Sequence, residues 1–155
     1  MENEEVKNLA VESSVMTLKD FLEYDSNTIG TFTNIESSKE IYNLSHNVDC
    51  KLNDCVGEKL RITKILLRRF KKELDEAKIN ETTGESYDVE FPLSCVIVDD
   101  NGKSYATGSK IFAYNLVDYV VRNGGIVDLN NGGIELEIVK NPLDNGRSSL
   151  GFKVL

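Results

Sequence analysis

Seven cations, Lys59, Arg61, Lys64, Arg68, Arg69, Lys71 and Lys72, fall within fourteen consecutive residues, with only Glu58 beside them. Cations at that density can neutralise a row of phosphates, an attraction that weakens steeply with salt. The same run also reads as the solvated face of a strand, or as a sheet edge blunted by charge against unwanted pairing. Holding a single polynucleotide strand needs a second ingredient, exposed aromatic faces on which bases stack. Tyr87, Phe91, Tyr105 and Phe152 are the candidates, and Lys103, Lys110, Lys140 and Arg147 are further cations that the same fold would bring near. An aromatic on a strand is usually core, so about half of these four are expected to be buried. Tyr105, between the small residues Ser104 and Ala106, is the preferred stacking residue. Gly108 beside it either admits a close backbone approach or simply makes the bend into a following helix.

Other chemistry is poorly served. His46, Cys50 and Cys55 are spaced H-x3-C-x4-C, with Cys95 far along the chain. Zinc sites are usually signalled by close pairs such as C-x2-C, which this set lacks, so no metal or other cofactor is expected. Buried thiols and a surface histidine are the plainer reading. No phosphate-cradling G-x-x-x-x-G-K-[ST], dinucleotide-type G-x-G-x-x-G or nucleophile elbow is present. The single histidine leaves few general bases. Asp99 and Asp100 are turn residues first, and Glu135 with Glu137 fits a solvated strand face. The expectation is a protein that catalyses nothing.

Charge distribution matters more than its sum. The net charge of −8 argues at first against a nucleic-acid partner. Residues 1–56 carry 11 acidic and 4 basic side chains, whereas residues 57–155 carry 15 and 14. An acidic leader therefore precedes a near-neutral part that holds the basic strip. No apolar run is long enough to cross a bilayer, and the N-terminus is acidic where a signal peptide would be basic. A cytoplasmic protein with reduced thiols and no membrane partner is expected.

These side chains must be positioned by some fold, and hydrophobic periodicity suggests which. Thr17 looks like the N-cap of a helix through Leu18, Phe21 and Leu22. Thr31–Ile35 alternates as a short strand, and Ser37 with Glu40 forms a capping box for a second short helix. From Gly57 the pattern sharpens. Residues 58–72 read as a long strand, favoured over a helix by β-branched and aromatic content. Neither parity of that strand is cleanly apolar, which predicts a bulge or bend midway that lets it serve two sheets. Glu73–Glu85 reads as a flexible loop, and Ser86–Asp99 as a second long strand, with Pro92 at an edge or bulge. Asp100-Asn101-Gly102 is a tight turn, because Asn and Gly tolerate positive φ. A short strand to Gly108, a helix from near Ser109 to Asn123, a Gly- and Asn-rich connection, and strands 134–139 and 148–155 complete the chain. The order β-β-β-α-β-β, which other small β-barrels can share, is that of a mainly β, OB-fold-like five-stranded barrel. Residues 57–155 would form it, behind a partly helical N-terminal extension over residues 1–56.

Four strings, in order, carry a resemblance. FTNIESSKEIYNL (32–44), NDCVGEKL (53–60), TTGE (82–85) and DDNGKSYATGSKIF (99–112) resemble single-stranded DNA-binding proteins encoded by phages and mobile elements of Gram-positive bacteria. The resemblance covers most of the chain. It implies an OB-like domain that coats single-stranded DNA during replication or recombination in a bacterial host cell. Replication or recombination proteins, and a second copy of the chain, are then further partners. Better-known bacterial single-strand binders end in a disordered acidic tail, whereas this chain ends on the apolar FKVL. The competing expectation is a protein-interaction module that binds no nucleic acid.

Overall fold

The structure, a computed structural model, describes residues 10–11, 30–90, 92–144 and 146–155. The sheet is built on β4, Lys59–Arg69. Leu60 and Ile62 are buried on its inner face, and a register shift between Ile62 and Lys64 then moves the alternation by one residue. Beyond the shift it is Ile65, Leu67 and Arg69 that turn inward. The bulge is why neither parity of this strand is uniformly apolar in the sequence: the inward set is even-numbered before it and odd-numbered after it.

One edge of β4 pairs antiparallel with β7 (Leu93–Asp99), which pairs in turn with β8 (Ser104–Thr107). The other edge is shared. Its first half, Lys59–Ile62, pairs with β9 (Ile134–Pro142), and its second half pairs with β2 (Gly30–Thr33). The short β1 (Ala10–Val11) pairs antiparallel with β2, the short β3 (Cys50–Lys51) runs parallel to β8, and β10 (Ser148–Val154) pairs with β9. The resulting eight-stranded sheet curls into an open half-barrel in a mainly β molecule. It has more strands than the expected five. Residues 30–56, read in sequence as extension, supply β2 and β3 to this sheet and Phe32, Leu52 and Cys55 to its core. The helix expected after Thr17 lies outside the described residues.

Inside the curl, α2 (Lys110–Val117) begins at Ser109, whose Oγ accepts from Phe112 N at 3.2 Å. The helix continues through a π turn, Asp118–Arg122, and is followed by α3 (Gly125–Asn130). This last helix stands where the sequence suggested only a connection, because Ile126 and Leu129, three apart, bury against the core. Phe112, Leu116, Val120 and Leu136 fill the space between helices and sheet. On the opposite, outer face, α1 (Ser38–His46) lays Ile41 and Leu44 over Leu66, Val96 and Ile35. One half of the expected capping box forms, Ser37 Oγ accepting from Glu40 N at 3.2 Å, and the other does not. Glu40 turns its carboxylate to Lys64 Nζ, 2.6 Å away.

Two further expectations change. Residues 73–79, read as flexible loop, form most of β5 (Lys72–Ile79), paired with β6 (Ser86–Glu90) in a separate two-stranded hairpin. The long strand expected over 86–99 is accordingly two strands, divided at 91–92, where Pro92 cannot donate to a ladder. In the turn after β7, Gly102 alone takes positive φ, +82°, and Asn101 does not. Asp99 organises this turn by accepting Asn101 N and Lys103 N on Oδ1, both at 2.9 Å.

Candidate functional site

The bulge and the curl of β4 divide the basic run. Lys59 and Arg61 face β9, in register with Glu137 and Glu135, and Arg61 Nη2 lies 3.9 Å from Glu135 Oε2. Lys64 is paired with Glu40. Arg69 is only 3% exposed, because after the bulge its parity is the inward one. It shares an inner crevice with Leu67, Leu93, Ala113 and Val117. Arg61, Lys64 and Arg69 therefore do not join one open cationic face as expected. Arg68 keeps the outward direction, half-buried on the outer face of the sheet, and Lys71 and Lys72 are exposed where the chain enters the hairpin.

The aromatic expectations divide too. Tyr105 is 3% exposed, and its Oη donates to Asp99 Oδ2 at 2.8 Å. It is a core residue, since pairing with Ile97 puts it on the inner face. It cannot offer a ring to a base. Lys103 caps that ring from 5.6 Å, a cation–π contact that occupies this cation as well. Phe152 packs edge-on against Phe112, ring centroids 5.3 Å apart, and belongs to the core margin rather than to an exposed stacking surface. Phe91 lies outside the described residues. Tyr87 is half-buried on the hairpin and shares a groove of about 470 Å³ with Lys110, Asn80, Glu85 and Glu90. The fold thus unites Tyr87 and Lys110, but beside carboxylates. Lys140 and Arg147 are exposed near the β9–β10 turn.

The place where aromatic, cation and open space meet is one the sequence reading did not pick. A groove of about 510 Å³ on the outer face, at the end of β7 and β8 away from their connecting turn, is lined by Lys51, Asn53, Phe70, Ser94, Ala106 and Gly108. Phe70, just past the end of β4, is 43% exposed, an unusual degree for a phenylalanine. Arg68 is two residues before it and directly across from Ser94 in the ladder. Phe70 was legible only as the last apolar residue of the basic run. Lys51 and Asn53 enter because β3 pairs with β8 and sets Lys51 beside Ala106. No local pattern announces that long-range pairing. Gly108 is part of the groove, and no atom lies within 4 Å of where a side chain would begin there.

The thiols have a structural character. Burial pushes Cys95 up to about 12, and burial with the nearby Glu58 pushes Cys55 up to about 11, so both stay neutral and unreactive. His46 lies exposed against Tyr42, ring centroids 4.5 Å apart. Among the described residues no cluster of three or more His, Cys, Asp or Glu is arranged to hold a metal ion, and no helix is long and apolar enough to cross a membrane. Comparisons with protein-family models, with curated proteins and with solved structures find no match.

Proposed function

We propose that the chain is a non-enzymatic, sequence-tolerant binder of single-stranded DNA, using the outer face of an OB-like half-barrel. The observation that carries this reading is the groove in which the exposed ring of Phe70 stands with Lys51, Asn53 and the neighbouring Arg68. A stacking face, phosphate-neutralising cations and an amide beside open backbone are the parts that single-strand binding requires. The strand order supports it. Along the sheet β8, β7, β4, β9 and β10 are neighbours in turn, with the helices inserted between β8 and β9. In an OB barrel these would be strands three, two, one, four and five, and the groove lies over strands two and three, the usual nucleic-acid face. The resemblance to phage and mobile-element proteins supplies the setting, coating of single strands in a bacterial cytoplasm during replication or recombination.

One observation favours the second reading, a protein-interaction module. The β5–β6 hairpin, which occupies the place of an OB barrel's first loop, carries seven acidic residues over 72–90 against Lys72 and Lys78. It would repel phosphate and suit a basic partner protein.

Fluorescence anisotropy of labelled oligo-dT, with a duplex control, decides between them. Preferential binding of the single strand is expected, with Phe70→Ala weakening it by about 1–3 kcal/mol, the value of one base–aromatic stack. Folded protein that leaves oligo-dT free at low salt would transfer the function to the hairpin.

A further inference from the structure

We infer that the bound strand runs beyond the Phe70 groove, across Arg68, into a second subsite that takes a base on the face of Tyr42 and a phosphodiester on the Arg68 guanidinium. The inference rests on the single-strand reading above and extends it to Tyr42 on α1, which belongs to no strand of the barrel. A second groove, about 480 Å³, is lined by Thr31, Ser38, Tyr42, Ser45, His46 and Arg68. Its floor continues that of the first. Thr31 pairs with Arg68 and Arg68 pairs with Ser94, while Cys95 pairs with Thr107, which brings Ser94 level with Gly108. Thr31, Arg68, Ser94 and Gly108 therefore form one row across four strands, perpendicular to them. Three inter-strand spacings of about 4.8 Å make a path of roughly 14 Å, room for several bases at about 3.4 Å each.

Among the described residues nothing covers the row, because of where α1 lies. The helix packs Ile41 and Leu44 one row further along, over Leu66 and Val96, and so forms a wall beside the path. From that wall projects Tyr42, 64% exposed, with its ring resting on His46 at an interplanar angle of 48°. A ring already held by a neighbour loses little freedom when a base stacks on it. Arg68, at the junction, has no hydrogen-bond or ion-pair partner among the described residues, unlike Arg61 and Lys64 on the same strand. The hydroxyls of Thr31 and Ser38 add donors for phosphate oxygens along the same wall.

The test measures affinity for oligo-dT of about twelve nucleotides, within the footprint range of one such barrel. Wild type is compared with Tyr42→Ala, Tyr42→Phe, Phe70→Ala and the Tyr42→Ala/Phe70→Ala double variant. Tyr42→Ala should weaken binding by about 5- to 150-fold, the equivalent of one lost stack. Tyr42→Phe, which keeps the ring, should bind as wild type, and in the double variant the two losses should multiply. Because Tyr42 is so exposed, an unchanged unfolding midpoint is expected and separates lost binding from lost fold. If Tyr42→Ala binds as tightly as wild type while Phe70→Ala does not, the second subsite is wrong and the groove reading stands. If neither substitution changes affinity, or wild type does not bind, both readings fall.

Discussion

Tyr105 and Asp99 form a closed hydrogen-bond unit, with the phenol on Asp99 Oδ2 and two backbone N–H groups of the turn on Oδ1. Burial first, and then the hydrogen bond to Asp99, push the phenol well above its ordinary pKa, so it remains a donor. Tyr105→Phe leaves a buried carboxylate oxygen without its donor and should cost about 1–3 kcal/mol of stability. Urea unfolding would show it, and DNA affinity should not change. A loss of affinity without a loss of stability would return Tyr105 to the binding surface. A second carboxylate ties α1 to the sheet. Asp49 Oδ2 accepts from Ser104 N at 2.9 Å and from Ser104 Oγ at 3.1 Å, the backbone bond being the stronger influence, and these hold its pKa below 3.8. With the folded value below the unfolded one, the unfolded chain takes up the proton first. The contribution is therefore complete above 3.8 and is lost as pH falls through the folded value. Asp49→Asn should flatten the acid limb of a plot of urea midpoint against pH, and a limb of unchanged steepness would assign that sensitivity elsewhere.

Among the elements, β4 and its bulge decide most. The bulge sits where three strands meet: Ile62 pairs with Asp99 of β7 on one edge and with Ile134 of β9 on the other, just after Gly133. Gly133 has φ +99°, and a Cβ there would lie 2.7 Å from the carbonyl oxygen of Ile62. Gly132 has a similar φ, +102°, with open space around it. Gly133→Ala should therefore destabilise by clearly more than Gly132→Ala, since both carry the cost of positive φ, about 1–2 kcal/mol, and only one also drives into backbone. Thermal unfolding of the pair measures the difference, and equal losses would mean that β9 moves freely from β4. The β5–β6 hairpin shows why local periodicity misled. Nearly all of β5 is exposed, so residues 73–79 carry no alternation of apolar and polar side chains to read.

At the scale of the whole molecule, a net charge of −8 does not by itself exclude an anionic partner, because among the described residues several carboxylates are already engaged by cations. Glu135 of β9 and Glu40 of α1 meet Arg61 and Lys64, and Glu90 of the hairpin meets Lys78. In the proposed single-strand reading, Lys51, Arg68, Lys71 and Lys72 are the cations that would meet phosphates. With three or four of them engaged, log affinity against log salt should have a slope of about −2 to −3 for a single strand. Arg68→Gln should make it shallower by about 0.7. A slope near zero would show that phosphates are not what the groove holds.

What the sequence determined by itself was whatever local rules specify. The Ser37 and Ser109 caps, the turn at Gly102, the alternation of β7 and β9 and the need for a bulge in β4 are all set by residues a few positions apart, and all are legible there. The partners of each cation and aromatic were not. Whether a side chain on β4 meets water, Glu135, Glu40 or the core depends on the bulge's position and on pairings between residues tens of positions apart. That is why the strongest sequence candidate, Tyr105, lies inside the curl. The groove on Phe70 and the wall carrying Tyr42 exist only once β3 has paired with the edge of β8 and α1 has docked on the outer face over Leu66 and Val96, both of them long-range events.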